Sequence, residues 1–222
     1  MNYGYACINE TLGAGPKKTR ITTNRSMIKR TFKEKGIAYA SELALQNIHD
    51  LIKILAWNED NDIRFYRMSS DIFPWASEYN YYDLPNYKEI KYWLRCAGEA
   101  ATKMGHRLTF HPGPFNCMAS PNFEVVEKTY KELNNHSRIF DMMGFEPSHY
   151  NKINIHVGGT YGDKDATAKR FIENFHRPGG LDENTKKRFT LENDDKESMW
   201  STKEIYDYIH RETGIPIVFD YH

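Results

Sequence analysis

Six short runs rich in β-branched and aromatic residues, at 3–8, 63–68, 107–111, 152–157, 188–192 and 216–220, alternate with longer stretches whose apolar residues recur at helical spacing. A strand, a helix and another strand in succession favour parallel pairing, because a crossover of a dozen or more residues returns the chain to the same edge direction. Helices are predicted over 41–58, 86–104, 120–144, 163–176 and 201–214. Several of their ends are legible. Gly105, Gly144 and Gly214 stand where left-handed C-caps belong, Pro121 follows Ser120 at a helix start, and Ser201 with Glu204 has capping-box spacing. The pattern predicts an α/β fold of parallel strands, either a closed (β/α)8 barrel or an open doubly wound sheet. No G-x-G-x-x-G or Walker loop follows the first run, which weighs against the open sheet. A closed barrel typically takes about 250 residues and eight strands. With 222 residues and six visible strands, the chain is expected to form a single, incomplete barrel domain over 1–222.

Composition narrows the class. Hydrophobic residues make up 40% and charged residues 27%, the balance of a globular rather than a disordered chain. No apolar run is long enough to span a membrane, and the first ten residues lack the layout of a signal peptide. Cys7, Cys96 and Cys117 are odd in number and far apart, so no disulfide framework is expected and an intracellular, reducing location is. Net charge is zero, but it is unevenly spread. Eight basic residues and a single acid, Glu34, fall between 16 and 35, within a predicted basic loop over 10–40 that follows the first strand. Such a patch suits phosphate, or merely keeps a solvated loop soluble.

Four of the strands end in a side chain able to bind a metal: His111, His156, Glu192 and Asp220. Alternation along a strand puts Thr109, Asn154, Thr190 and Val218 on the same faces as these residues. The opposite face reads Leu108 and Phe110, Ile153 and Ile155, Phe189 and Leu191, Ile217 and Phe219, uniformly apolar and suited to packing against helices. In a barrel, the inward C-terminal strand ends form the active-site mouth, where two imidazoles and two carboxylates would converge. Mixed nitrogen and oxygen donors suit Zn²⁺, Mn²⁺ or Fe better than Ca²⁺, and such a cluster can acidify water and clamp a phosphate. Two glycine-bearing loops follow, His111–Phe115 and, ahead of a helix, 156–164, ending at Lys164. Glycine there either admits a phosphate or only permits a tight turn.

These segments resemble the UV-damage endonucleases, DNA-repair enzymes of the TIM-barrel, xylose-isomerase-like type. The matching motifs are Gly4-Tyr5-Ala6-Cys7-Ile8-Asn9, Phe65-Tyr66-Arg67-Met68-Ser69-Ser70-Asp71, His111-Pro112-Gly113, His156-Val157-Gly158-Gly159, Leu191-Glu192-Asn193-Asp194-Asp195 and Val218-Phe219-Asp220-Tyr221-His222. The resemblance implies incision of damaged double-stranded DNA 5′ to cyclobutane dimers and 6-4 photoproducts, by metal-activated hydrolysis. It implies His111, His156, Glu192 and Asp220 as ligands of a divalent metal cluster, typically manganese. Glu192 would act on water through ligation, with no separate base assigned. Tyr5 and Asn9 match positions near the extruded lesion, and Lys164 a DNA contact.

The chain departs from the family pattern in three places. Pro114-Phe115 replaces the usual Gln and aromatic probe, Glu78 stands where a His is usual, and the chain ends before the family's last strands and their ligands. Two other functions compete on this pattern: a metal-dependent sugar isomerase or epimerase, and a remnant that binds DNA without cutting it.

Overall fold

A computed structural model describes residues 3–16 and 18–221; Lys17 of the basic segment and His222 of the last motif lie outside the described residues. The chain divides into two compact units, Met1–Phe110 with Arg138–Glu146, and His111–Ser137 with Pro147–His222.

The first unit holds strands β1 (Gly4–Ala6), β2 (Phe65–Met68) and β3 (Arg107–Phe110), paired parallel in that order. An ideal Cβ on Gly4 would lie 2.2 Å from the Phe65 carbonyl oxygen, so the close approach of β1 to β2 needs a residue without a side chain. Asn9 caps the short helix α1 (Glu10–Gly13), its side chain accepting from the Leu12 amide. Helix α2 (Lys29–Asp60) buries Leu43, Ile48, Leu51 and Leu55 as helical spacing predicts, and also Ala44 and Ile54, while Leu45 and Ile52 of the expected stripe are only half-buried. It starts twelve residues earlier than expected, at Lys29. The stretch expected as a basic loop over 10–40 is therefore partly helical, with α1 at one end and the opening turns of α2 at the other. Gly36 interrupts those turns with φ 65°, where a residue with a Cβ would be strained. Arg25 has turned inward to Asp50 at 2.6 Å and to the Thr22 and Arg20 carbonyls. Helix α3 (Tyr87–Lys103) packs Ile90, Leu94, Ala97 and Ala101 inward, and Gly105 closes it at φ 68°.

Helix α4 (Phe123–Met143) begins in the second unit and ends in the first. It starts after the predicted Ser120-Pro121 because Ser120 Oγ accepts from the Asn122 amide and Asn122 Oδ1 from the Glu124 amide. Those local turns compete with the helix for the same donors.

The second unit pairs β4 (Ile153–His156), β5 (Phe189–Glu192) and β6 (Ile217–Val218) in parallel. Helix α5 (Lys164–His176) follows β4, and a short helix α6 (Glu183–Arg188) leads into β5. The predicted fifth helix is present as α7 (Thr202–Ile205), a π-helical stretch Tyr206–His210 and α8 (Arg211–Thr213), ending at Gly214 in the left-handed region. Ile153, Ile155, Phe189 and Leu191 are fully buried as the alternation requires, with Phe171 and Phe175 packed on Phe189. Phe219 is 66% exposed instead, because β6 pairs only as far as Val218. Cys7, Cys96 and Cys117 are free thiols, and among the described residues no helix is long and apolar enough to cross a membrane.

Candidate metal centre

The candidate site lies within the second unit. Register pairs His156 with Glu192 and Glu192 with Val218, so the side chains of His156 and Glu192 leave the same face of adjacent strands. His111 opens the unit directly after β3. One ligand atom from each of His111, His156 and Glu192 lies within 4.8 Å of the others. Asp220 does not join them: it is exposed, and its backbone is pinned to Asn193, whose amide group bonds both its N–H and its carbonyl. Glu78 is also exposed and outside this group.

The carboxylate is held from below. Thr190 Oγ1 donates to Asn154 Oδ1 at 2.7 Å, and Asn154 Nδ2 donates to Glu192 Oε2 at 2.6 Å. These are the inward same-face residues, each almost completely buried. Burial disfavours the charge on Glu192, but the hydrogen bond and charge of His111, with smaller help from His156 and Lys152, hold its carboxyl below the usual range. Burial pushes the nearby Asp194 carboxyl up, against the opposing pull of His156 and the Trp200 amide.

The donor set suits a cation. His111 Nε2 lies 2.6 Å from Glu192 Oε2 while its Nδ1 lies 3.3 Å from the Pro112 carbonyl oxygen. His156 sits between acceptors too, Nε2 at 3.9 Å from Glu192 Oε2 and Nδ1 at 3.6 Å from Asp194 Oδ1. A neutral imidazole has one N–H and satisfies only one of two acceptors. His111, His156 and Glu192 would hold a divalent cation, and each imidazole would then keep its single N–H for its other oxygen neighbour, so these residues fit a divalent metal.

Comparison with known proteins places the chain in a family. A model of the family described as UV-endonuclease UvdE matches residues 1–222. The chain belongs to the UV-endonuclease UvdE family. It is 36% identical over 222 residues to the UV-damage endonuclease of Schizosaccharomyces pombe, covering 99% of this chain and 35% of that protein. It is 40% identical over 194 residues to the UV-damage endonuclease of Neurospora crassa, covering 85% of this chain and 28% of that one. The chain thus spans about a third of the length of these relatives. The crystal structure of SacUVDE superposes with a TM-score of 0.83 at 32% identity, covering 99% of this chain and 69% of SacUVDE. The fold class is accordingly α/β, with six strands among the described residues, as in a partial TIM barrel.

The other residues matched to the UvdE motifs have these surroundings. Tyr5 donates its hydroxyl to Asn58 Oδ1 and accepts from Asn9 Nδ2, each at 2.8 Å. Burial raises the Tyr5 hydroxyl above its ordinary value, against the two asparagine bonds. Phe115 is 89% exposed, not packed inward, and Pro114 accepts from the Cys117 thiol through its carbonyl. Lys164 is bonded to Glu204 Oε1 and to the Met199 carbonyl. The N-terminus of α5 is already served by Asp163, whose side chain accepts from the Ala166 amide. A phosphate at this helix end would meet that carboxylate, which favours the plain turn for the 156–164 loop. Asp194 and its bond to the Trp200 amide were not assigned from the sequence, since its partner His156 lies in a separate strand motif.

Proposed function

We propose that the chain incises the DNA backbone on the 5′ side of UV lesions, cyclobutane dimers and 6-4 photoproducts, using Mn²⁺ at the His111–His156–Glu192 centre. The observation that carries this is the convergence of two imidazoles and one carboxylate at strand ends within 4.8 Å, in a chain of the UvdE family. When bound, a divalent cation supplies Lewis acidity that polarises a phosphodiester and acidifies water. His111 and His156 would hold the ion together with Glu192, whose carboxylate the Thr190–Asn154 pair fixes. No side-chain base is assigned. Selection of damage rests on cheap unstacking: a dimer leaves the stack at lower cost than intact bases. The exposed Phe115, on its Pro114 turn, suits an apolar wedge in the vacated step. Lys164, Tyr5 and Asn9 complete the proposed DNA-contacting set, and Asp220 is proposed as a further ligand recruited on metal binding.

The test is a nicking assay on a duplex carrying one cyclobutane dimer, with and without Mn²⁺. The expected result is a single Mn²⁺-dependent cut immediately 5′ of the dimer and none on an undamaged duplex. Glu192→Gln should lose at least 100-fold in cutting and retain binding to the damaged duplex. Equal cutting of damaged and undamaged duplex overturns the lesion assignment. Unchanged cutting by the Gln variant overturns the role of Glu192. Folded protein that binds the dimer without cutting in Mn²⁺ reduces the function to lesion binding.

A further inference from the structure

His156 lies between two carboxylates that differ in how much they already do. Glu192 Oε2 accepts from Asn154 Nδ2 and faces His111 Nε2, both at 2.6 Å, whereas His156 Nε2 stands 3.9 Å away. On the other side, His156 Nδ1 is buried with no hydrogen bond completed, and Asp194 Oδ1 is 3.6 Å from it. Asp194 is not loose. Its Oδ2 accepts from the Trp200 amide at 3.3 Å, and its own amide donates to the Trp200 carbonyl at 2.9 Å. Trp200 is fully buried, and its indole N–H donates to the Gly158 carbonyl, two residues beyond His156. The loop after β5 is therefore clamped to the loop after β4, with Asp194 aimed at the imidazole.

We infer that Asp194 is the positioning residue of the metal centre: its Oδ1 accepts from Nδ1–H of His156, which keeps the proton on Nδ1 and leaves Nε2 with its lone pair free for the ion. This rests on the metal assignment made above for His111, His156 and Glu192. Which imidazole nitrogen binds a metal is set by the hydrogen bond the other nitrogen makes, and a carboxylate there raises the ligand's basicity. Oδ1 is the oxygen available for the task because Oδ2 serves the Trp200 amide. Asp194 contributes no metal–ligand bond in this scheme. Trp200 serves it by keeping the two loops in register.

The experiment has two independent readouts on the full chain. Long-range ¹H–¹⁵N spectra of the metal-free protein at pH 8 report the His156 tautomer. Titration calorimetry with Mn²⁺ reports affinity without any cutting. The wild type should carry the proton on Nδ1. Asp194→Asn, which keeps one oxygen for the Trp200 amide, should shift His156 toward the Nε2–H form and weaken Mn²⁺ binding 10- to 100-fold. A purely structural role for Asp194 would leave the tautomer in place. A wild-type His156 protonated on Nε2 overturns the inference whether or not any variant folds. So does a folded Asp194→Asn protein with the wild-type tautomer and Mn²⁺ affinity within twofold. If the wild type binds no Mn²⁺, the metal assignment fails, while the tautomer spectrum still decides whether Asp194 holds Nδ1–H.

Discussion

At the scale of single residues, polar side chains with fixed neighbours hold the fold. Tyr5 is the plainest case. Its hydroxyl accepts from the Asn9 side-chain amide and donates to the Asn58 side-chain oxygen, and both asparagines are buried. Tyr5→Phe keeps the ring and strands one donor and one acceptor. An unsatisfied buried polar group costs about 1–3 kcal/mol, so the urea midpoint should fall by that equivalent at unchanged slope. An unchanged midpoint would mean that water reaches both amides and that Tyr5 has no structural duty. Gly98 makes the opposite demand, for empty space. A Cβ there would sit 2.0 Å from the Met143 carbonyl oxygen, which is backbone and cannot swing aside. Gly98→Ala should destabilise by about 1–3 kcal/mol, read by the same denaturation curve, even though alanine is the better helix former.

At the scale of elements, the capped start of α7 ties helix to loop through one carboxylate. Glu204 accepts from Lys164, from the Ser201 amide and from the Ser201 hydroxyl. The Lys164 bond, then the Ser201 amide, hold its carboxyl down at about 2, against an ordinary value of 4.5. A depressed folded value means that the charged form supports the fold. The contribution is complete above pH 4.5 and is lost as pH falls toward about 2. Glu204→Gln should therefore lower the melting temperature at pH 7 and narrow the gap to wild type between pH 4.5 and 2. A pH-independent gap would remove the charge from the account. The Glu204 side chain is about a third exposed, so solvent screens part of the effect. This capping box was legible because its two residues lie three apart. The six strands were legible too, through composition and period two, and so were the helices with glycine stops. Helices α1 and α6 were not, since four and six residues carry no periodicity to detect. The early start of α2 was hidden by its lysines and by Gly36, which look like loop residues until the helix on either side is seen. Of the four strand-end candidates, His156 and Glu192 meet because β4 and β5 pair to their last residues, and His111, just after β3, reaches Glu192 Oε2 at 2.6 Å. Asp220 does not, because β6 pairs only through Val218. Asp194 depends on tertiary proximity to a residue 38 positions earlier, which no local pattern encodes.

At the scale of the whole molecule, the candidate centre links positions far apart in sequence: His111 and Glu192 are separated by 81 residues, yet they share a 2.6 Å contact. An ion bound there binds the folded chain and not the unfolded one, whose ligands are dispersed, so its binding energy adds to folding. At a hundredfold excess over the dissociation constant the gain is about 2.7 kcal/mol. For a chain of this size that corresponds to a rise in melting temperature of roughly 5–11 °C. Calorimetry in Mn²⁺ against the same protein in chelator should show the rise, and Glu192→Gln should abolish it. All three candidate ligands belong to the second unit, so the added protection has a predicted location. Hydrogen exchange with Mn²⁺ present should slow most in β4, β5 and the loop holding Asp194 and Trp200, and least in β1 and α2. Slowing concentrated in β1 and α2, or a melting temperature unmoved by saturating Mn²⁺, would show that His111, His156 and Glu192 meet without forming a site.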